Sequence, residues 1–183
     1  MNIVVTGFEP FGGSEVNASW EAVRGLADVR TVLLPVAFDS AARRIREIVS
    51  EKPDAVICVG EAGGRGAVSI ERIAINLIDA RIPDNEGHRP VDVPVCPDRP
   101  AAWFSTLPVR RILERVQGGG IPAELSCTAG TYVCNTVFYS LMDEIDRSGI
   151  KIPGGFIHVP AKGMDIGQIR DALKIAVNCL KEG

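Results

Sequence analysis

The chain has 183 residues, 46% of them hydrophobic, and its 23 acidic and 20 basic residues give a formal charge of -3. That length suffices for one core that buries roughly two-thirds of the unfolded surface, so we expect a single domain over residues 1–183. The charge balance and the lack of a Lys/Arg cluster argue against nucleic-acid binding. Because no stretch reaches the ~18 apolar residues of a membrane helix and residues 1–6 do not resemble a signal peptide, we expect a cytoplasmic protein with no membrane partner.

Alternating apolar and amphipathic segments predict an α/β fold. Up to residue 78 the pattern predicts strands at 3–5, 29–36, 55–59 and 69–78 and helices at 17–26 and 41–49. A loop at 79–100, rich in Pro, Asp and Gly, could form a lid or wall. Beyond it we predict strands at 123–127 and 155–159 and helices near 109–116, 130–145 and 166–180. This order implies a mostly parallel, twisted sheet with helices on both faces.

The segments with chemical potential follow the strands of this predicted sheet. Residues 7–13 follow the first strand, residues 60–65 the third, residues 126–132 the strand before the next helix, and His158 ends the last strand. Ligands of such sheets bind outside the carboxyl ends of the strands, so we expect these segments to form the site.

Cys134 is the candidate nucleophile. It is predicted to lie about one turn into a helix that opens with residues 129–132, where backbone N–H groups and the helix dipole favour a thiolate. A glycine-bearing turn from strand to helix is also where nucleophiles of other α/β hydrolases lie. The alternative is a cysteine that only packs on its helix.

His158 and Glu71 are the candidate partners of that thiol. His158 is the only histidine in a predicted regular element, and Glu71 is an acid in an apolar stretch. A thiol needs a base, and the base needs a group that orients it. The alternatives are a hydrogen-bonded core histidine and a glutamate that faces solvent or pairs with Arg72 or Arg81.

Other signals are weaker. The glycine-rich segment 60–65 lacks the endings of a P-loop and of a dinucleotide site. Phe8 and Phe11 could line a small apolar pocket or only anchor the core. With five cysteines, no CxxC spacing and two histidines, neither a disulfide framework nor a zinc site is indicated, and we expect no metal or cofactor.

Six segments, in order along the chain, resemble the pyroglutamyl peptidase I family, also called pyrrolidone-carboxylate peptidases. They are VTGFEPFGG (5–13), GEAGGR (60–65), ERIAIN (71–76), DARIPDNEG (79–87), GTYVCN (130–135) and GFIHVP (155–160). The resemblance implies a single-domain three-layer α/β/α sandwich that is often a homotetramer, so we expect a homo-oligomer, tetramer or dimer.

The resemblance also implies the activity, which is hydrolysis of N-terminal pyroglutamyl residues from peptides through a thioester. It makes Cys134 the nucleophile, His158 the general base and acid, and Glu71 the group that orients His158. It further implies that Arg81 supports the thiol or the oxyanion and that the substrate is bound by Phe8, Phe11 and Glu61. No metal or cofactor is implied.

The chain departs from the family pattern in two places. Residues 126–129 read Ser-Cys-Thr-Ala, and the segment 161–164 is shorter than the family's loop after the catalytic histidine. Two rival hypotheses follow from the residues. One is a phosphorolytic glycosyl transferase that uses the glycine-rich turns for phosphate, and the other is a non-catalytic binding or redox-responsive protein with Cys134 as a sensor.

Overall fold

The computed structural model describes residues 1–182. Its strands are β1 (Ile3–Phe8), β2 (Arg30–Leu34), β3 (Ala55–Ala62), β4 (Val68–Glu71), β5 (Ile73–Ile75), β6 (Ala102–Phe104), β7 (Ala123–Ser126) and β8 (Gly154–Pro160). Its helices are α1 (Ala18–Val23), α2 (Phe38–Ser50), α3 (Val109–Gly118), α4 (Val133–Ser148) and α5 (Ile166–Lys181). No helix within residues 1–182 is long and apolar enough to cross a membrane.

Six strands form one sheet in the order β2-β1-β3-β8-β4-β7. The first four are parallel to one another, β4 is antiparallel to β8, and β7 is parallel to β4. The predicted mostly parallel sheet is therefore confirmed, with one reversal of direction between β8 and β4. That reversal bears on the site, because it brings residues of β4 alongside β8 in antiparallel register.

Helices cover both faces of the sheet, as its nearly continuous apolar strands require. On one face α2 and α4 pack over Val56, Cys58 and Phe156. On the other face α1, α3 and α5 pack over side chains such as Ile57 and Ile157. The three predicted layers are confirmed, and the face that α4 covers is the one that carries the site.

The extended segment predicted at 69–78 is two strands. It breaks at Arg72, after which β5 leaves the main sheet and pairs with β6, a strand that the pattern did not predict. The Asn135 side chain on α4 explains the departure, since it accepts from the Ile75 N–H at 3.0 Å and donates to the Ile75 carbonyl at 2.9 Å. β6 has only three residues and is partly exposed, so its sequence carries little strand signal.

Three predicted helices differ from the structure by three residues at one end or both, and the one predicted at 41–49 begins earlier, at Phe38. The first ends at Val23, before Gly25, where a Cβ would lie 2.5 Å from the Arg170 guanidinium. The helix predicted near 130–145 begins at Val133 and not near Gly130, because Gly130 has a φ of +76° and cannot belong to a right-handed helix. The segment 79–100 is irregular, as predicted, apart from one bridge between Ile78 and Val93.

Candidate active site

Cys134 lies in the first turn of α4. Tyr132 is the N-cap in extended backbone, so Cys134 is the second helical residue, earlier in the helix than predicted. Its sulfur lies over β3, because a Cβ added to Gly60 would be 2.7 Å from Cys134 Sγ and 2.7 Å from the Phe156 ring. The thiol is therefore held between the start of a helix and a strand that has no side chain at that point.

His158 lies beside this thiol on the next strand. In the parallel ladder His158 is the register partner of Gly60, and residues paired in this way project from the same face of a sheet. The imidazole and the Cys134 sulfur thus share a face, and both line one cleft of about 540 Å³.

Glu71 reaches His158 from β4, the strand that runs antiparallel to β8. Ser69 is the register partner of His158, so Glu71 lies diagonally from it on β4, within reach of a long side chain. Glu71 Oε1 is 2.7 Å from His158 Nδ1, and the glutamate is completely buried. Because a carboxylate can only accept, Nδ1 carries the hydrogen and Nε2 is left as the proton acceptor of the ring.

Arg65 is the cation that pairs with Glu71, in place of the Arg72 or Arg81 considered from the sequence. Arg65 Nη1 donates to Glu71 Oε1 at 2.6 Å, and its Nη2 donates to the Thr128 carbonyl at 2.7 Å. Sequence reasoning did not assign Arg65 a role in the site. The available signal was its place at the end of the glycine-rich segment 60–65.

Burial favours the neutral forms of the Cys134 thiol and of the His158 imidazole. It raises the pKa of the Cys134 thiol to about 12, with a further rise from the Glu71 charge and a smaller opposing effect of Arg65. The N-terminus of α4 also favours the thiolate. Burial lowers the pKa of His158, and the hydrogen bond to Glu71 opposes that change. Both directions favour a thiol and a neutral imidazole over a thiolate–imidazolium pair.

A small cavity adjoins the thiol. Its volume is about 20 Å³, close to that of one water molecule. It is lined by Phe8, Phe11, Asn17, Val36, Glu61, Tyr132, Val133 and Cys134. Most of this wall is apolar, and the thiol lies at one side of it.

The predicted pocket residues take different positions in that wall. Phe8 is 2% exposed and packs on Phe156, with ring centroids 6.4 Å apart. Phe11 is half-buried and lies 6.3 Å from the Tyr132 ring. One oxygen of Glu61 accepts from the Ala18 N–H at 2.6 Å, which caps α1.

Asn17 and Tyr132 also belong to the wall. Asn17 was not predicted to lie there, and Tyr132 was predicted only as part of the segment 126–132, without a role of its own. Asn17 is the buried N-cap of α1 and donates to the Glu9 carbonyl at 3.0 Å. Tyr132 donates to the Pro83 carbonyl at 2.9 Å. The available signal for Asn17 was its place at the start of the predicted first helix, since asparagine is a favoured N-cap. For Tyr132 it was its place in the segment GTYVCN.

Arg81 lines the larger cleft with an exposed side chain. Its segment is fastened to the loop before α4, because the Asp79 N–H donates to the Thr131 carbonyl at 3.0 Å and Thr131 Oγ1 donates to the Asp79 carbonyl at 2.9 Å. Within residues 1–182, no three His, Cys, Asp or Glu side chains converge in a way that could hold a metal ion.

The arrangement has the parts of a covalent acyl-transfer site. A thiol at a helix start lies on the same face as an imidazole, and a buried carboxylate orients that imidazole. Hydrolysis by a thiol requires such a set: a nucleophile, a base beside it and a group that orients the base.

Comparison with known proteins agrees with this chemistry. The family described as pyroglutamyl peptidase matches residues 1–177. A pyrrolidone-carboxylate peptidase from Thermococcus kodakarensis is 46% identical, over 100% of this chain and 97% of the relative, and one from Bacillus subtilis is 46% identical, over 95% and 89%. The crystal structure of pyroglutamyl peptidase I from Bacillus amyloliquefaciens superposes with a TM-score of 0.95 at 44% identity, over 100% of this chain and 97% of that one. The chain therefore belongs to the pyroglutamyl peptidase family.

Proposed function

We propose that the chain is a cysteine peptidase that removes the N-terminal pyroglutamyl residue from peptides, with Cys134, His158 and Glu71 as its catalytic triad. One observation carries the proposal: a buried hydrogen bond of 2.7 Å between Glu71 and His158 Nδ1 orients an imidazole on the face that also carries the Cys134 thiol. The family relation supports the same reaction.

In the first half of the reaction, the thiol attacks the pyroglutamyl carbonyl. His158 Nε2 takes the thiol proton as the sulfur bonds to the carbonyl carbon, and the resulting imidazolium donates to Glu71. The N–H of Cys134, near the start of α4, and the Arg81 guanidinium in the cleft wall are the proposed partners of the oxyanion. His158 then protonates the departing amine, the C–N bond breaks, and a thioester remains on Cys134.

In the second half, water resolves the thioester. His158, neutral again, takes a proton from water as the water oxygen attacks the carbonyl carbon. The C–S bond breaks, the sulfur recovers a proton from the imidazolium, and pyroglutamate leaves. His158 Nε2 carries every proton in both halves, and Cys134 supplies the nucleophile. The proposed steps therefore use side chains of the protein and water alone.

We place the pyrrolidone ring in the small cavity, between Phe8 and Phe11, with Glu61 at its polar edge. A lactam has flat apolar faces and no charge at its nitrogen, whereas a free ammonium would lose its water there without compensation. At about 20 Å³ the cavity is too small for the ring. Because Phe8 is buried and Phe11 is half-buried, we expect Phe11 to move outward when substrate binds.

The remaining proposals concern the setting of the enzyme. We propose that residues 1–183 work as a single domain, in the cytoplasm, and as a homo-oligomer that is a tetramer or a dimer. Analytical ultracentrifugation of the purified chain tests the assembly, and a monomer at micromolar concentration would contradict it.

The experiment that tests the activity is release of a fluorescent amine from pyroglutamyl-amide, with the matching prolyl-amide as control. Proline has the same ring size but a charged ring nitrogen, so we expect turnover of the lactam substrate alone. Equal turnover of both substrates would contradict the specificity. Phosphate-dependent cleavage of a nucleoside, with no amine release, would favour the phosphorolytic rival.

A further inference from the structure

We propose that Arg65 is a positioning residue, which holds Glu71 and the loop 126–132 in place around the His158 imidazole. The inference rests on the proposed function, since it assigns Arg65 a part in the same reaction. Arg65 lies in the turn between β3 and β4 and lines the same cleft as Cys134 and His158. Its two hydrogen bonds go to Glu71 and to the Thr128 carbonyl, so we infer that it acts through these contacts.

Glu71 needs a cation. Its side chain is completely buried, and an isolated buried carboxylate is costly unless it is paired and hydrogen-bonded. A neutral imidazole offers one hydrogen bond but no charge. Arg65, whose side chain is 22% exposed, reaches inward and supplies that charge at 2.6 Å.

The contact also fixes the direction of the carboxylate. Arg65 Nη1 and His158 Nδ1 both donate to Oε1 of Glu71. The other oxygen, Oε2, is buried and has no hydrogen-bond partner among residues 1–182. The orientation of the carboxylate toward the imidazole therefore depends on the pair of donors at Oε1, of which Arg65 is one.

A second hydrogen bond extends the effect to the nucleophile. Arg65 Nη2 donates to the Thr128 carbonyl at 2.7 Å, in the loop that leads through Gly130 to α4 and Cys134. A planar guanidinium can hold two such acceptors in fixed directions, whereas a lysine ammonium has no such geometry. One side chain thus joins the orienting carboxylate to the loop before the nucleophile.

Arg65 also acts on both reacting groups through its charge. The charged groups that bear on His158 are Glu71 and Arg65, and Arg65 lowers the pKa of the imidazole. The groups that bear on Cys134 are Glu71, Cys58, Arg65 and Glu61, and Arg65 lowers the pKa of the thiol. Removing the Arg65 charge should therefore raise both pKa values, a change that a purely structural contact would not produce.

The primary test is the NMR titration of the histidine ring protons in Arg65→Gln, Arg65→Lys and Arg72→Gln. The chain has only two histidines, and the exposed His88 serves as the internal reference. We expect the His158 midpoint to move to higher pH in Arg65→Gln and to stay near the wild-type value in the other two. An unchanged His158 midpoint in Arg65→Gln would overturn the proposal, whether or not the enzyme is active.

Kinetics on pyroglutamyl-amide provide the second readout. We expect Arg65→Gln to lose roughly 10- to 100-fold in kcat, as small misplacements of catalytic groups do, with little change in KM. Arg65→Lys should recover part of that loss, and Arg72→Gln should behave as wild type. If wild type turns over and Arg65→Gln matches its kcat, Arg65 is not a positioning residue while the proposed function stands.

A double variant keeps the test valid if Arg65→Gln is unstable with Glu71 left unpaired. Arg65→Gln combined with Glu71→Gln removes both charges of the pair. Because Arg65 acts on the imidazole largely through Glu71, the loss of kcat in the double variant should be smaller than the product of the two single losses. Losses that multiply would show that Arg65 acts independently of Glu71 and would contradict the inference.

Discussion

Gly60 and Cys134 are in contact across the site: the position that a Cβ on residue 60 would take lies 2.7 Å from the Cys134 sulfur. Gly60 is also the register partner of His158 on the neighbouring strand. The absent side chain therefore provides the space in which thiol and imidazole share one face of the sheet.

Gly60→Ala should displace the thiol or the Phe156 ring. We expect kcat on pyroglutamyl-amide to fall by at least roughly 100-fold, as small misplacements of reacting groups can cost, and the free energy of unfolding to fall by about 1–3 kcal/mol through overpacking. Gly66→Ala is the matched control, since a Cβ there meets nothing within 4 Å. Normal turnover by Gly60→Ala would contradict the placement of the sulfur.

His158→Ala and Glu71→Gln should differ strongly in rate. Loss of the base should lower kcat by roughly 10²- to 10⁴-fold, whereas Gln at residue 71 can still accept from Nδ1 and should cost less. Steady-state kinetics on pyroglutamyl-amide make the comparison. Wild-type turnover by His158→Ala would exclude the imidazole as base.

The neutral state of the pair predicts a pH dependence. Below the lowered pKa of His158 the base is protonated, so kcat/KM should fall in acid and recover as pH rises through that pKa. Because burial raises the pKa of the Cys134 thiol to about 12, alkylation of the free enzyme by iodoacetamide should accelerate steadily from neutral to alkaline pH. A fast alkylation rate that is constant down to acid pH would instead indicate a standing thiolate-imidazolium pair.

Substitutions at Phe11 and at Phe8 should have different effects on substrate binding and on stability. Phe11→Ala removes a half-buried cavity wall, so we expect KM to rise with a small change in melting temperature. Phe8→Ala removes a side chain that is 2% exposed, and substitutions of this kind cost about 3–5 kcal/mol. Measurements of thermal unfolding and of KM test both variants. An unchanged KM in Phe11→Ala would show that Phe11 does not contact the substrate.

Local patterns in the sequence were enough to predict the sheet and its layers. The continuous apolar run in β3 and the helical spacing around Ile112 and Val116 are local signals, and the elements they predicted are present. The reversal at β4 could not be predicted in this way, because the direction of a strand depends on its partners. Arg72 interrupts that segment, but only the Asn135 hydrogen bonds on a distant helix explain where β5 goes.

The roles of site residues were harder to predict. Cys134 and His158 gained their roles from the family resemblance, since either residue alone is compatible with ordinary packing. Arg65 is only six positions from Glu71 in the chain. The sequence nevertheless offered Arg72 and Arg81 as ion-pair partners of Glu71. The fold decides between them, because Glu71 projects from the same face as His158 and Arg65 reaches it from the turn between β3 and β4.

The most direct test of the central claim is to trap the acyl-enzyme. Wild type mixed with a pyroglutamyl ester and quenched in acid should gain one pyroglutamyl group by mass spectrometry, in the peptide that contains Cys134. Cys127→Ser, which removes an exposed thiol seven positions away in the chain, should behave as wild type, whereas Cys134→Ser should show no thioester and no turnover. Full turnover by Cys134→Ser, or an acyl group on another residue, would contradict the account.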